Sequence, residues 1–121
     1  MLLAGMPFVA NASTTDEART GMLEAQGGSF LKGIISGAGS IHMYVNTDTG
    51  AFWYYYDKKG PNYKLYLSVS EYDQYTGHLV LVEQDAFGNF TGMFDGYTRS
   101  NGVYSGTFTN SRGGKFKFTL K

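Results

Sequence analysis

The chain has 121 residues, ten Lys and Arg against ten Asp and Glu, and no cysteine. This length fits one domain with a real hydrophobic core. The balanced charge argues against a nucleic-acid binder and against an electrostatic membrane anchor. Without cysteine the chain has no disulfide, no thiolate zinc site and no cysteine nucleophile. No stretch approaches the roughly 20 apolar residues that a membrane-spanning helix needs.

The first residues are typical of an export signal. An apolar run is followed by Ala10-Asn11-Ala12, an Ala-x-Ala cleavage pattern, which predicts that residues 1–12 are a signal-peptide remnant and that the protein is secreted, periplasmic or part of the cell envelope. The alternative is a frayed or packed N-terminal segment. Thr14 with Glu17 forms a capping box, so we expect a short helix within an N-terminal helix and linker, residues 13–29.

From Phe30 onward the pattern changes to alternating apolar and polar residues with regular glycines, which defines a β domain over residues 30–121. Short turns rich in Gly, Asn and Asp separate the predicted strands. No helix fits between them, so the fold class is all-β: an antiparallel up-and-down meander, predicted as an eight-stranded barrel. The predicted strands are 31–37, 40–46, 51–57, 63–71, 78–84, 89–96, 102–109 and 114–120.

A weak internal repeat predicts which side chains face inward. Residues 88–94 match residues 102–108 almost position for position, and the residue two places after each glycine is large and apolar. Gly92 and Gly106 also face inward in this alignment, where they leave room for a neighbouring ring. The predicted core is Ile41, Met43, Val45, Phe52, Tyr54, Tyr56, Leu65, Leu67, Val69, Leu79, Leu81, Phe90, Phe94, Tyr104, Phe108, Phe116, Phe118 and Leu120.

Five consecutive aromatic residues, 52–56, cannot all enter one core, because neighbouring side chains of a strand point to opposite faces. The outer face of the middle strands is therefore aromatic and apolar, with Val80 and Val82 included, whereas the last two strands are polar outside. Such a patch marks a surface that something covers. The predicted partner-binding residues are Trp53, Tyr55, Tyr44, Tyr66 and Met93.

The sequence is compatible with four possible occupants of this outer face. A protein partner or a second copy of the chain would use tyrosine and tryptophan as rigid anchors. A sugar could stack on the rings. Alternatively, the N-terminal segment with Met22, Leu23 and Phe30 could fold back over the patch.

A second candidate site is the barrel interior, which in eight-stranded barrels holds packed side chains or one small ligand. The polar groups predicted there are Tyr54, Tyr56, Tyr104 and Glu83, which suggests a lipocalin-like carrier of a small apolar or sugar ligand in the barrel mouth. The alternative is that the rings fill the space. Glu83 would then lie at a strand end or bond a tyrosine or a backbone amide.

Catalytic patterns are weak. His42 and His78 lie on different strands without an evident third metal ligand. Four carboxylates could in principle form a glycosidase pair, but no spacing selects two of them: Asp57, Glu71, Glu83 and Asp95. No nucleophile elbow or P-loop is present. We therefore predict a binding protein that is not an enzyme, with no metal and no cofactor.

Several segments together carry a resemblance to a known group: residues 32–37, 40–45, 54–60, 81–83, 91–94 and 104–108. In these segments the chain is similar to small exported all-β proteins of Bacteroides-type gut bacteria, and in fold it resembles up-and-down barrels such as lipocalins and avidins. The resemblance implies export and a meander barrel. It implies no activity, since fold analogy does not carry function, and no lipocalin or biotin-binding motif is present.

Overall fold

A computed structural model describes residues 28–121. These residues form eight antiparallel strands joined in sequence order. The strands are β1 (Ser29–Ile35), β2 (Gly39–Asn46), β3 (Ala51–Tyr56), β4 (Leu65–Asp73), β5 (His78–Gln84), β6 (Phe90–Thr98), β7 (Tyr104–Asn110) and β8 (Lys115–Leu120).

The sheet closes on itself because β1 pairs with β8 over the short register Gly33↔Leu120 to Ile35↔Phe118. The predicted all-β, eight-stranded up-and-down barrel is therefore confirmed. No helix occurs between residues 28 and 121, so none there is long and apolar enough to cross a bilayer. The predicted signal-peptide remnant and the predicted N-terminal helix lie outside the described residues.

Most of the hairpin turns are built by an Asn or Asp that opens the turn and a glycine that closes it. Asn46 accepts hydrogen bonds from the backbone amides of Asp48 and Thr49, and Gly50 follows with φ +76°. Asp73 and Asp85 accept in the same way from amides two residues further along the chain. Such turns need a side-chain acceptor and a left-handed residue, which is why the turn composition predicted eight strands.

The interior is filled by aromatic rings. Phe94 is fully buried, and its ring lies 5.0 Å from the ring of Tyr54, 4.8 Å from that of Phe108 and 5.1 Å from that of Phe118. Gly92 faces this cluster, and a Cβ there would lie 2.8 Å from the Phe108 ring. Thirteen of the eighteen predicted core residues are buried. Of the others, Tyr56, Leu65 and Phe116 are half-buried and pack against the core.

Two predicted core residues are exposed in the structure. Val69 is 44% exposed. It lies next to a β-bulge between Val69 and Glu71, where the strand pairing is locally disrupted. Phe90 is 43% exposed because it begins β6, at a register irregularity beyond the packed interior. Val80 lies on the predicted outer face but is only 7% exposed. It lies directly opposite Glu71 on one neighbouring strand and Asp95 on the other, and both of these carboxylates bond His78 on the strand of Val80.

Candidate functional site: an outer aromatic row

Four aromatic side chains form a continuous row on the outside of the barrel. Phe30 on β1 pairs with Tyr44 on β2, Tyr44 pairs with Trp53 on β3, and Trp53 pairs with Tyr66 on β4. Directly opposite residues on one sheet face have Cβ atoms about 5 Å apart, so the row crosses four strands without interruption. We call these four residues the aromatic row.

The two ends of the aromatic row are open and its middle is packed. Phe30 is 68% exposed and Tyr66 is 66% exposed, whereas Tyr44 and Trp53 are half-buried. The ring of Tyr44 stacks on that of Trp53 with centroids 5.1 Å apart, and the Phe30 ring lies 5.0 Å from the Tyr44 ring. The Lys64 ammonium sits 4.8 Å from the centroid of the Trp53 ring, within cation–π range.

The residues around Tyr44 hold its ring in place. The Asn46 side-chain amide donates a hydrogen bond of 3.0 Å to the Tyr44 hydroxyl. The Tyr44 ring also lies against Gly28, where a Cβ would come within 2.0 Å of it. The ring is therefore fixed over the start of β1, and it keeps the middle of the aromatic row ordered.

Phe30 is the row residue that sequence reasoning missed as a binding residue. The sequence pattern groups it with Met22 and Leu23 in an N-terminal segment that folds back over the patch. The strand begins at Ser29, and Phe30 lies on the outer face with Lys32 and Ile34. The sequence does contain a signal for this placement. Leu31, Gly33 and Ile35 alternate with the outward residues, so the period of two extends back to Phe30.

The other predicted partner-binding residues lie at different distances from the row. Tyr55 is the next outward residue after Trp53 on β3. Its ring stacks on the ring of His42, with centroids 5.4 Å apart, and lies 6.3 Å from the ring of Trp53. Met93 is half-buried on the outer face of β6, opposite Val82. The structure thus brings Tyr44, Trp53, Tyr55 and Tyr66 together and leaves Met93 two strands away.

Inside the barrel, the predicted polar groups satisfy one another. The Tyr54 hydroxyl donates a 2.6 Å hydrogen bond to one oxygen of Glu83, and the Thr91 hydroxyl donates at 2.8 Å to the other. Glu83 is buried on this network. Burial raises the pKa of the Tyr54 hydroxyl, and the Glu83 carboxylate raises that pKa further. Tyr54 therefore stays a neutral donor and stabilises the buried carboxylate.

The two remaining interior tyrosines have separate environments. The Tyr104 hydroxyl donates a 2.8 Å hydrogen bond to the Leu79 carbonyl, and burial raises the pKa of Tyr104 well above its usual range. Tyr56 is half-buried beside Tyr54, and burial raises its pKa as well. Tyr54, Tyr56 and Glu83 thus form one group, and Tyr104 bonds the main chain elsewhere.

The two histidines bind carboxylates on the outside. His42 lies 2.6 Å from Asp57. His78 lies between two carboxylates, with Nε2 2.7 Å from Asp95 and Nδ1 3.1 Å from Glu71. We call this arrangement of His78 between Glu71 and Asp95 the His78 clamp. An imidazole donates from both nitrogens only when it is protonated, so the clamp favours the charged form of His78. The hydrogen bond with Asp95 is the main cause that raises the pKa of His78, and the bond with Glu71 adds to it.

We expect the His78 clamp to make stability depend on pH. Because the folded-state pKa is raised, the added stability is complete below the unfolded value of about 6.5. It is lost as pH rises through the folded-state pKa. Urea unfolding at several pH values between about 5.5 and 8.5 should show wild-type stability falling relative to His78→Gln, by at most about 1 kcal/mol because the carboxylates are exposed. Parallel pH curves for the two proteins would contradict the clamp.

Two further findings bear on the site. Within residues 28–121, no group of three or more His, Cys, Asp or Glu side chains has an arrangement that could hold a metal ion. The chain matches no family model, no curated protein and no solved structure.

Proposed function

We propose that the protein is a non-enzymatic binding module that recognises a protein partner through the aromatic row. The observation that carries the proposal is the uninterrupted register Phe30–Tyr44–Trp53–Tyr66, open at both ends. Export to the cell envelope or beyond belongs to the same proposal, and its support is the Ala-x-Ala pattern ending at Ala12.

The row has the properties of a binding surface with central anchors. Tyr and Trp dominate the energetics of protein interfaces, because each buries a large area with few rotatable bonds. The packed Tyr44–Trp53 pair has little freedom left to lose, which lowers the entropic cost of binding. The exposed rings of Phe30 and Tyr66 provide apolar area that a partner can remove from water.

The orientation of the rings favours a protein over a sugar. Sugars bind aromatic residues by lying flat on an open ring face. In the middle of the row the ring of Trp53 stacks on Tyr44 and carries the Lys64 ammonium, so neither Tyr44 nor Trp53 offers a free platform there. A protein partner whose apolar side chains cover the packed middle and the exposed rings of Phe30 and Tyr66 fits this arrangement better.

The interior offers less support for the carrier hypothesis. Tyr54 and Glu83 already bond each other, the Tyr104 hydroxyl bonds a backbone carbonyl, and Phe94 packs against three rings. A ligand held inside would have to displace buried aromatic side chains. We therefore place recognition on the outer face.

Site-specific photo-crosslinking in the producing cell tests this proposal. A photoreactive phenylalanine analogue replaces Phe30 in one variant, Tyr66 in a second, and Ser111 in a third as the control, since Ser111 is exposed in the β7–β8 turn, away from the row. We expect the first two variants to yield the same discrete protein adduct and the Ser111 variant to yield none.

A second substitution tests whether the row acts as a unit. With the crosslinker at Tyr66, Trp53→Ala should reduce the adduct about tenfold or more, as for a central anchor. Equal adducts at Ser111, no adduct at either row position, or an adduct that is insensitive to Trp53→Ala would each refute the proposal. Circular dichroism of each purified variant confirms folding.

A further inference from the structure

The barrel divides its charges between two sides, although the chain as a whole has as many basic as acidic residues. Residues 65–98, which form β4, β5 and β6, contain five Asp and Glu and no Lys or Arg. The remaining described residues, 28–64 and 99–121, contain nine Lys and Arg but only two Asp and no Glu. In an eight-stranded ring, β5 lies opposite β1, so we call the two sides the acidic face (β4–β6) and the basic face (β8, β1–β3 and the β3–β4 loop).

The aromatic row lies mainly on the basic face. Lys32 is on the same side of β1 as Phe30, two residues further along, and the Lys64 ammonium lies over the Trp53 ring. Lys58 and Lys59 are exposed in the adjoining loop. The nearby Asp57 is bonded to His42. Whatever binds the row therefore meets excess positive charge around an aromatic centre.

The acidic face has the complementary chemistry. Glu71 and Asp95 point outward and keep 60% and 46% of their side-chain surface exposed. The two carboxylates share one histidine, His78, so this group keeps a net negative charge even when the imidazole is protonated. Asp85 is exposed in the β5–β6 turn, whereas Glu83 points inward and is buried. Large apolar side chains accompany these carboxylates. Apart from Tyr66, which ends the aromatic row on β4, those exposed on the acidic face and its turns are Val69, Tyr75, Phe87, Phe90 and Tyr97.

We propose that the partner of the aromatic row is a second copy of this chain, which presents its acidic face to the basic face of the first. This inference rests on the proposed function, because it names the occupant of the same row. The two faces are different surfaces, so the contact is heterologous and joins copies head to tail. The first and last copies of such an assembly each keep one face free. Charge complementarity steers such an encounter and fixes its orientation, and the exposed rings supply the buried apolar area.

The salt dependence of self-association gives the first test. In sedimentation velocity of the purified full chain at high micromolar concentration, we expect an average mass above the monomer at about 20 mM NaCl. The association constant should fall at least tenfold at about 0.5 M, where screening shortens the range of surface charges to a few ångströms. Because a heterologous contact does not end at two copies, the mass should keep rising with concentration unless a ring closes.

A charge-reversal pair gives the decisive test. One variant carries Lys32→Glu and Lys64→Glu on the basic face, and the other carries Glu71→Lys and Gln84→Lys on the acidic face. Each variant alone opposes like charges and should be monomeric at low salt. An equimolar mixture restores two complementary contacts, wild-type basic on wild-type acidic and reversed on reversed, so association should return to near the wild-type level.

Each result has a defined meaning. A wild-type chain that is monomeric at low salt, association that does not respond to salt, or a mixture that stays monomeric would overturn the second-copy inference. The wild-type salt series needs no substitution, so poor folding of a variant cannot obscure it. A monomeric chain that still gives the adduct to a different protein at Phe30 and Tyr66 would keep the proposed function and reject only this inference.

Discussion

Replacing Phe94 with alanine is expected to lower the free energy of unfolding by about 4 kcal/mol, the range found for aromatic residues deleted from cores. Phe94 is fully buried and contacts the rings of Tyr54, Phe108 and Phe118. These neighbours come from three other strands, so no single strand can move inward to fill the cavity. Urea unfolding followed by circular dichroism measures the loss.

Phe87→Ala is the matched control for this substitution. It removes the same side chain from the β5–β6 turn, where Phe87 is 89% exposed, and should change stability by less than about 0.5 kcal/mol. A loss of under about 1 kcal/mol at Phe94, or similar losses at the two positions, would show that the barrel interior is not packed as described.

Gly33→Ala is expected to open the barrel where it closes. A Cβ at residue 33 would lie 1.8 Å from the Thr119 carbonyl oxygen, which is backbone and cannot rotate away. The β1–β8 seam contains only three ladder pairs, flanked by hydrogen bonds between Lys32 and Lys121. The strands must separate to admit the methyl group, so we expect a loss of about 3 kcal/mol, the upper end for an overpacked site.

Amide hydrogen exchange distinguishes seam opening from general unfolding. In the Gly33→Ala variant, the Lys121 amide, which bonds the Lys32 carbonyl at 2.9 Å, should lose protection. Amides between β5 and β6 should keep much of theirs. Lys32→Ala, on the exposed face of the same strand, serves as the control and should leave the seam protected. Unchanged exchange at Lys121 in Gly33→Ala would contradict the tight approach.

The strands and most of the core could be predicted from the sequence, because alternation and turn chemistry are local properties. The pattern around Trp53 shows this: Phe52 and Tyr54 are buried, as the period of two requires. The predicted core position of Val69 is wrong because a β-bulge next to it adds one residue to the strand. A bulge has no reliable signature in a single sequence.

The site was less predictable because it depends on which strands become neighbours and in which register. Tyr44, Trp53 and Tyr66 were expected to face outward, but their alignment into one row with Phe30 follows only from the pairing of four strands. The His78 clamp likewise joins side chains from three strands. By contrast, the absence of Lys and Arg from residues 65–98 was visible in the sequence, and it acquires meaning once β4–β6 form one side of a barrel.

The order of the strands also bears on how quickly the chain can fold. Seven of the eight strand interfaces join consecutive strands, and only the β1–β8 seam joins distant parts of the chain. Hairpins can therefore form early from nearby residues, at low loop-closure cost, whereas the seam must await the alignment of the whole sheet. We expect contacts at Gly33 and Leu120 to be absent from the folding transition state. Substitutions there would then accelerate unfolding and leave the folding rate nearly unchanged.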